Sequence, residues 1–218
     1  MRFVTEGNIV GLGSGSSAEY AIRFLAERVQ AGLKIRGIPT SARSKQLADE
    51  LHIPLTTLDE YQQIDVAIDG ADEFDPQLRL IKGGGGALLR EKIVAAASGR
   101  MIVIADESKF VATLGRFPLP IEVVPFGLAA TRRAVEAAAQ AAGCPGAAST
   151  RQAREGHAFV TDGGHLILDA ALVRIPDPAS LARRLAAIPG VMEHGLFIGL
   201  AHIAIIAGPD GVRIVEAS

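Results

Sequence analysis

The loop Gly11-Leu12-Gly13-Ser14-Gly15-Ser16-Ser17 is the first segment of this sequence that could hold a ligand. It joins a short apolar run to a segment with helical periodicity, a pattern that predicts a strand, a glycine turn and a helix. Glycines let backbone N–H groups approach a ligand, and the start of a helix attracts an anion. The residues that we predict to bind a phosphate monoester are Ser14, Gly15, Ser16 and Ser17. The alternative is a tight turn that only packs the helix against the strand.

A dinucleotide site would also use such a loop, but the details disagree with one. The glycine spacing is G-x-G-x-G rather than G-x-G-x-x-G. The second predicted strand ends in Pro39-Thr40-Ser41, which offers no acidic residue to hold a ribose diol. These two features disfavour a nicotinamide-dependent reductase.

Three carboxylates lie within Asp69-Gly70-Ala71-Asp72-Glu73, directly after a predicted buried strand. Open α/β sheets bind ligands at the C-terminal ends of their strands. Carboxylates this close repel one another, so they need a metal, a lysine or a polyol beside them. These three partners remain open, and Asp69, Gly70, Ala71 and Asp72 are the candidate binding residues of this turn. A solvated turn with a capping aspartate explains this motif alone equally well.

Four consecutive glycines follow Lys82, between a predicted strand and an amphipathic helix. A flexible linker makes little sense at that place, whereas the amides of Gly83, Gly84 and Gly85 could form a nest for an oxyanion. Glu91 lies about one turn into the helix, where its carboxylate could remove a proton from a carbon acid. Lys82 and the nest would then stabilise the enolate. The alternative for Glu91 is a solvent-facing helical residue.

Lys109 follows a further predicted strand and could bind the phosphate, although a single lysine is more often a surface residue. The five histidines are scattered and the chain has one cysteine, with no H-x-x-x-H or C-x-x-C spacing. We therefore predict no metal site. The sequence also lacks the G-x-S-x-G elbow of serine hydrolases.

Composition limits the partners of this 218-residue chain. Its 22 basic and 24 acidic residues give a formal net charge of −2, so no global basic field attracts nucleic acid. Its apolar runs are far shorter than the roughly 20 residues that cross a bilayer, so we expect no membrane role. With one cysteine and no secretory leader pattern, we expect a cytoplasmic protein.

Strands alternate with helices as far as residue 118, which predicts a mainly parallel, Rossmann-like sheet with helices on both faces. The proline-spaced segment Phe117-Pro118-Leu119-Pro120 suits a domain linker. The shorter elements after it predict an inserted α+β domain at 119–194, with a hairpin whose strands are Ala158 to Thr161 and Leu166 to Asp169. The α/β domain would comprise 1–118 and 195–218. We expect its last strands, around Pro209-Asp210-Gly211, to be buried.

Taken together, the motifs resemble the ribose-5-phosphate isomerase A family over nearly the whole chain. Those that carry the resemblance are Gly11 to Ser16, Asp69 to Glu73, Lys82 to Gly86 with Arg90-Glu91-Lys92, Ala105 to Lys109, Phe117 to Pro120, Thr161-Asp162-Gly163-Gly164 and Ile188-Pro189-Gly190-Val191. The family positions fall on the base Glu91, on Asp69 and Asp72, on Lys82 to Gly85, on the phosphate loop Ser14 to Ser17, and on Lys109.

The resemblance implies interconversion of D-ribose 5-phosphate and D-ribulose 5-phosphate through an enediolate, in the non-oxidative branch of the pentose phosphate pathway. It also implies a ferredoxin-like inserted domain, assembly as homodimers or homotetramers, and no metal or cofactor. A sugar-phosphate-sensing transcription regulator is the rival from another class. Such a protein should carry a helix-turn-helix, and this sequence shows neither that motif before its first strand nor a basic patch.

The sequence departs from the family pattern in three places. Only seven residues precede Asn8, where family members usually carry a helix that helps to close the phosphate site. Ser17 stands where threonine is usual, which keeps the hydroxyl. The segment Ile198-Gly199-Leu200-Ala201-His202 is less polar than its family counterpart. We therefore expect differences at the phosphate end and in subunit contacts.

Overall fold

The computed structural model describes residues 3–217, so Met1, Arg2 and Ser218 of the predicted domain ranges lie outside it. Its strands are β1 (Ile9–Leu12), β2 (Arg36–Pro39), β3 (Val66–Asp69), β4 (Glu73–Phe74), β5 (Leu80–Ile81), β6 (Met101–Asp106), β7 (Leu119–Val123), β8 (Ala148–Thr150), β9 (Leu166–Ala170), β10 (Val191–His194), β11 (Leu196–Phe197), β12 (Ala201–Gly208) and β13 (Gly211–Glu216). Its α-helices are α1 (Ser16–Gln30), α2 (Ala42–Glu50), α3 (Leu88–Ala96), α4 (Leu128–Ala141) and α5 (Pro178–Ala186), and a 3₁₀ turn covers Glu107–Lys109.

The chain forms two compact units. The first contains Met1–Ala71, Arg90–Glu107 and Gly199–Ser218, and the second contains Asp72–Leu89 and Ser108–Ile198. Residues 72–89 and 108–118, which the sequence analysis placed in the α/β domain, therefore group with the second unit. That residues 119–194 form an inserted domain remains a prediction.

A six-stranded sheet forms the centre of the first unit, in the order β13-β12-β6-β3-β1-β2. All neighbours are parallel except the edge pair β12–β13. After β1 the chain adds β2 on one side and β3 on the other, so the sheet has its topological switch point between β1 and β3. Open α/β sheets bind ligands just beyond the strand ends at that point.

Alternate residues of these strands feed two separate apolar layers. Val10 and Ile68 pack with Ile22 and Leu25 of α1 on one face of the sheet. On the other face, a smaller layer includes Ile9, Ile38, Ala67 and Val94, the last of them on α3. This alternation has the two-residue period of a strand buried on both sides. Helices therefore cover both faces, as the sequence predicted.

Edge strand β13 departs from the prediction of buried terminal strands. Its hairpin with β12 around Pro209-Asp210-Gly211 forms as expected, but Val212 is 70% exposed and Ile214 is 41% exposed. The apolar residues of β13 suggested burial because sequence periodicity does not report which strand ends a sheet.

The second unit contains the elements β7-α4-β8-β9-α5-β10 in chain order, with the sheet order β10-β7-β9-β8. All three pairings in this sheet are antiparallel. Such a β-α-β-β-α-β arrangement is the ferredoxin-like motif, which confirms this part of the predicted fold. A short sheet β11-β5-β4 belongs to the same unit.

Two sequence expectations in this unit were wrong. Leu119 and Pro120 belong to β7, a fully buried strand between β9 and β10, rather than to a linker. Pro120 fits there because its carbonyl accepts a hydrogen bond from the Gly195 N–H at 2.7 Å, and that contact needs no proline N–H. The partners of Leu166–Ala170 are β7 and β8, whereas residues 158–161 make only two isolated antiparallel bridges, Val160 to Leu166 and Ala158 to Gln152.

Cys144 lies in the apolar core of the second unit, and its thiol contacts the Ala139 carbonyl oxygen at 3.4 Å. Burial raises the pKa of the Cys144 thiol, because the charged thiolate is poorly solvated there. The thiol is therefore a packing group. Among residues 3–217, no helix is long and apolar enough to cross a membrane.

Candidate active site

The switch point of the six-stranded sheet brings the serine loop and Asp69 together. Ser14 follows β1 and Asp69 ends β3, and these two strands are parallel neighbours. The Asp69 side chain is 3% exposed, and its Oδ1 accepts hydrogen bonds from the Ser14 N–H at 3.1 Å and the Gly70 N–H at 2.7 Å. Asp69 therefore fixes the path of the loop that we predict to hold phosphate.

Gly13 allows this contact because it has no side chain. A Cβ at residue 13 would lie 2.3 Å from the Asp69 carboxyl carbon and 2.6 Å from the Ile68 carbonyl oxygen. Both distances are far below van der Waals contact. The sequence signal for this position is the second glycine of G-x-G-x-G, which we explained only by ligand approach.

Gly13→Ala should lower the free energy of unfolding by about 1–3 kcal/mol, because the new methyl group must displace the buried carboxylate or the backbone. Urea denaturation measures this difference. Gly99→Ala is the matched control in the same unit, since its Cβ would lie 3.5 Å or more from the nearest atom. Equal unfolding free energies for the two variants would contradict this account of Gly13.

The start of α1 is open to a ligand. Gly15 is the N-cap residue, with a φ of 90°, and it supplies no side-chain hydrogen bond to the first turn. Gly15 and Ser16 are exposed, Ser17 is half-buried, and a Cβ on Gly70 would lie 3.5 Å from the Ser17 Cβ. Uncapped N–H groups at a helix start favour an anion. This end of α1 therefore has the chemistry of a phosphate site.

Sequence reasoning missed a hydroxyl network around Ser14. Ser14 Oγ lies 2.8 Å from Thr40 Oγ1 and 2.7 Å from Ser41 Oγ, and Thr40 also donates to the Leu12 carbonyl at 3.0 Å. Leu12 pairs with Pro39 in the parallel register, so Thr40 follows the strand beside Ser14. We used Pro39-Thr40-Ser41 to exclude a dinucleotide and gave its hydroxyl groups no contact with the serine loop. The signal in the sequence was that Thr40 and Ser41, two hydroxyl residues, directly follow a predicted strand.

Glu91 lies on the buried face of α3. It shares that face with Leu88, Val94 and Ala95, three or four residues away along the helix, and its exposed fraction is 5%. The structure therefore contradicts the alternative of a solvent-facing glutamate. The Glu91 carboxylate therefore lies where little water reaches it.

The second unit contains Asp72 and the glycine loop. Asp72 Oδ2 accepts a hydrogen bond from the Gly84 N–H at 2.7 Å, and a Cβ on Gly84 would lie 2.5 Å from Asp72 Oδ1. The Gly84 amide is therefore already used within the protein. This corrects the expectation that all three amides of the glycine nest face a ligand. Gly84 and Gly85 are nevertheless exposed, whereas Gly83 is buried.

Lys82 is 2% exposed at the end of β5, although lysine is rarely buried. Its N–H donates to the Gly195 carbonyl at 2.9 Å, and its Nζ lies 5.6 Å from the centre of the Phe197 ring. Gly195 directly precedes β11 and Phe197 belongs to it, and β11 pairs with β5. Backbone pairing and an aromatic face thus hold the lysine in one place.

Glu73, the third carboxylate of the acidic loop, stabilises a neighbouring loop of the protein. It is buried, and it accepts hydrogen bonds from the Gly115 N–H at 2.8 Å and the Phe117 N–H at 2.7 Å. Together with Asp69 and Asp72, it completes a set in which each carboxylate accepts backbone amides from a different loop. These bonds explain why three acidic residues occur so close in the sequence.

Lys109 ends the 3₁₀ turn after β6, and its side chain is half-buried. Gly70 and Ala71 are also half-buried, in the turn after β3. Within residues 3–217, no group of three or more histidine, cysteine, aspartate or glutamate side chains could hold a metal ion.

Comparison with known proteins agrees with this geometry. Residues 36–211 match the family model described as ribose 5-phosphate isomerase A, or phosphoriboisomerase A. The chain belongs to this family. The ribose-5-phosphate isomerase A of Bradyrhizobium diazoefficiens is 61% identical over 217 residues, which cover 98% of this chain and 90% of the relative.

Solved structures of the ribose 5-phosphate isomerase family have the same fold. The ribose 5-phosphate isomerase A of Methanocaldococcus jannaschii is 39% identical, with a TM-score of 0.91 over 99% of this chain and 93% of that one. A D-ribose-5-phosphate isomerase in complex with phospho-erythronic acid is 40% identical, with a TM-score of 0.92 and the same coverage. The predicted family, fold class and isomerase activity are thereby confirmed.

Proposed function

We propose that this chain interconverts D-ribose 5-phosphate and D-ribulose 5-phosphate with Glu91 as the base. The observation that supports this role most strongly is a nearly fully buried carboxylate on α3, in a chain whose family carries out this isomerisation. The conversion moves one hydrogen between neighbouring carbons, so a single base can serve both.

We assign phosphate binding to the exposed start of α1. Ser16 and Ser17 offer hydroxyls and first-turn amides there, and Asp69 holds the loop through the Ser14 amide. Lys109 would add a positive charge. Phospho-erythronic acid, found with a relative, carries a phosphate at one end and a carboxylate at the other. That carboxylate resembles an enediolate in charge and planarity.

In the proposed reaction, Glu91 removes the C2 proton of the open-chain aldose, and the released electron pair forms the C1=C2 bond of a cis-enediolate. The protonated Glu91 returns a proton to C1, while the O2 proton moves to O1, which leaves a carbonyl at C2. Lys82 and the exposed Gly85 amide would stabilise the negative oxygen. Asp69 and Asp72 would hold substrate hydroxyls and assist ring opening.

We also propose that the reaction needs no metal or cofactor, and that the protein acts as a homodimer or homotetramer in the cytoplasm. The base, the buried cation and the amides together supply every proton and charge that the steps above require. Neither nucleic acid nor a membrane enters this scheme.

The direct test is incubation of the purified protein with D-ribose 5-phosphate, followed by NMR detection of D-ribulose 5-phosphate, with and without EDTA. We expect conversion to equilibrium at the same rate in both samples. Absence of conversion would contradict the proposed activity. Loss of activity in EDTA that a divalent ion restores would contradict the metal-free mechanism.

A further inference from the structure

Arg151 binds the glycine loop from the side of the ferredoxin-like sheet. It follows β8 directly, and its Nη1 donates to the Gly83 carbonyl at 2.8 Å and the Gly84 carbonyl at 3.0 Å. A guanidinium therefore bridges two consecutive carbonyls of a loop that consists of glycines. Sequence reasoning gave Arg151 no role.

The guanidinium is itself held from its other edge. Arg151 Nε donates to Asp169 Oδ2 at 2.9 Å, and Nη2 pairs with Asp169 Oδ1. Arg151 and Asp169 have side-chain exposures of 14% and 23%, so water weakens this bidentate pair less than a surface pair. Asp169 lies on β9, which is paired on both sides. The position of the guanidinium is thus determined by a sheet.

An aromatic ring supports the same assembly. The Arg151 Cζ lies 5.9 Å from the centre of the Phe159 ring, and a Cβ on Gly86 would lie 2.4 Å from Phe159 Cζ. Phe159 therefore contacts both the arginine and the last glycine of the loop. Four glycines have the largest backbone entropy to lose, so a defined conformation needs such external contacts.

The two carbonyl bonds determine where the amides of the loop point. In a trans peptide the C=O and the next N–H point in opposite directions. Because Arg151 binds the Gly83 carbonyl, the Gly84 N–H faces the other side, where it meets Asp72. By the same geometry, the bond to the Gly84 carbonyl turns the Gly85 N–H away from Arg151.

We propose that Arg151, held by Asp169, is a positioning residue that orients the glycine loop for stabilisation of the enediolate. This inference rests on the proposed function, which assigns the Gly85 amide and Lys82 to that charge. Arg151 touches the loop and not the substrate. Lysine could not replace it, because an ammonium lacks the planar fork that binds the Asp169 carboxylate and the two carbonyls at once.

The test compares Arg151→Lys and Asp169→Asn with Arg132→Lys, an arginine of the same unit that donates to Thr150 Oγ1 and not to the loop. We expect kcat/KM for ribose 5-phosphate to fall roughly 10- to 100-fold in the first two variants, since small misplacements of a site have effects of that size. The calorimetric Kd for phospho-erythronic acid should rise by a similar factor, while that for inorganic phosphate stays unchanged. Arg132→Lys should match the wild type in kcat/KM and in both Kd values.

The binding data separate positioning from folding. A variant that is only partly folded would lose kcat in proportion to the folded fraction, with unchanged Kd values, and that result would overturn the inference. An equal rise of both Kd values, or no change in either variant, would overturn it too. If the wild type fails to convert ribose 5-phosphate, the proposed function fails. The two Kd values then still decide whether Arg151 orients the loop.

Discussion

Glu91→Gln should lower kcat for ribose 5-phosphate at least roughly 100-fold, the usual minimum contribution of a general base. Glutamine keeps the shape and packing of the buried side chain on α3 but cannot accept a proton from carbon. KM should change little, because the lost step follows binding. Steady-state kinetics of ribulose 5-phosphate formation measure both parameters.

Glu27→Gln provides the control for Glu91→Gln, since Glu27 is an exposed residue of α1. Its kcat should equal that of the wild type. Circular dichroism of each variant checks that the fold persists. A folded Glu91→Gln protein with near-wild-type turnover would exclude Glu91 as the base.

Lys82→Met should lower kcat by roughly 10²- to 10³-fold, the range seen when one group that stabilises an oxyanion is removed. Methionine keeps the length of the side chain and its contact with Phe197, so the change removes mainly the charge. Lys82 is 2% exposed, and a charge acts more strongly where little water screens it. The effect should fall on kcat, because the negative oxygen develops only after the substrate binds.

Lys45→Met is the control for Lys82→Met. The Lys45 side chain is 62% exposed and pairs with Asp49 on the surface of α2, an interaction of little energetic weight. Its kinetics should be those of the wild type. If Lys82→Met kept more than about a tenth of the wild-type kcat, the main stabilisation of the enediolate would have to come from other groups.

The α/β part of the fold was predictable because its signals are local. Serine is a preferred helix N-cap residue, so Ser41 before the helical segment with Leu47 and Leu51 predicts a helix start. Ser41 does accept a hydrogen bond from the Ser44 N–H in a capping box at the start of α2. The start of strand Leu119–Val123 was taken for a linker, because prolines usually mark loops and nothing local shows that Pro120 stands where no N–H is required. The predicted hairpin partner of Leu166–Asp169 was wrong for a related reason, because β9 pairs with Ala148–Thr150 and the choice of a strand partner depends on distant residues.

The candidate site was predictable in its residue types but not in their contacts. Glycine runs and acidic clusters pointed to Asp69, Asp72 and Lys82, yet the sequence could not show that the Gly84 amide is bound to Asp72. The role of Arg151 could not be predicted either, because Arg151 is 67 residues from Gly84 along the chain.

The motif Thr161-Asp162-Gly163-Gly164 illustrates how a sequence pattern can be structural. Glu122 Oε1 accepts from Thr161 Oγ1 at 2.8 Å and lies 2.9 Å from His165 Nδ1, so the pattern fixes a turn against β7. The partner in this cluster, Glu122, lies about 40 residues before the motif. Only the folded chain shows what such a motif binds.

Deuterium exchange in D₂O tests the central claim, proton transfer by Glu91, most directly. The protein is left with ribose 5-phosphate for many turnovers, and NMR then measures deuterium at C2 of the aldose and C1 of the ketose. Proton transfer through a carboxylate predicts progressive labelling of both carbons with the wild type, and labelling and conversion at least roughly 100-fold slower with Glu91→Gln. Conversion to equilibrium with both carbons unlabelled would instead indicate a direct hydride shift and would contradict this account.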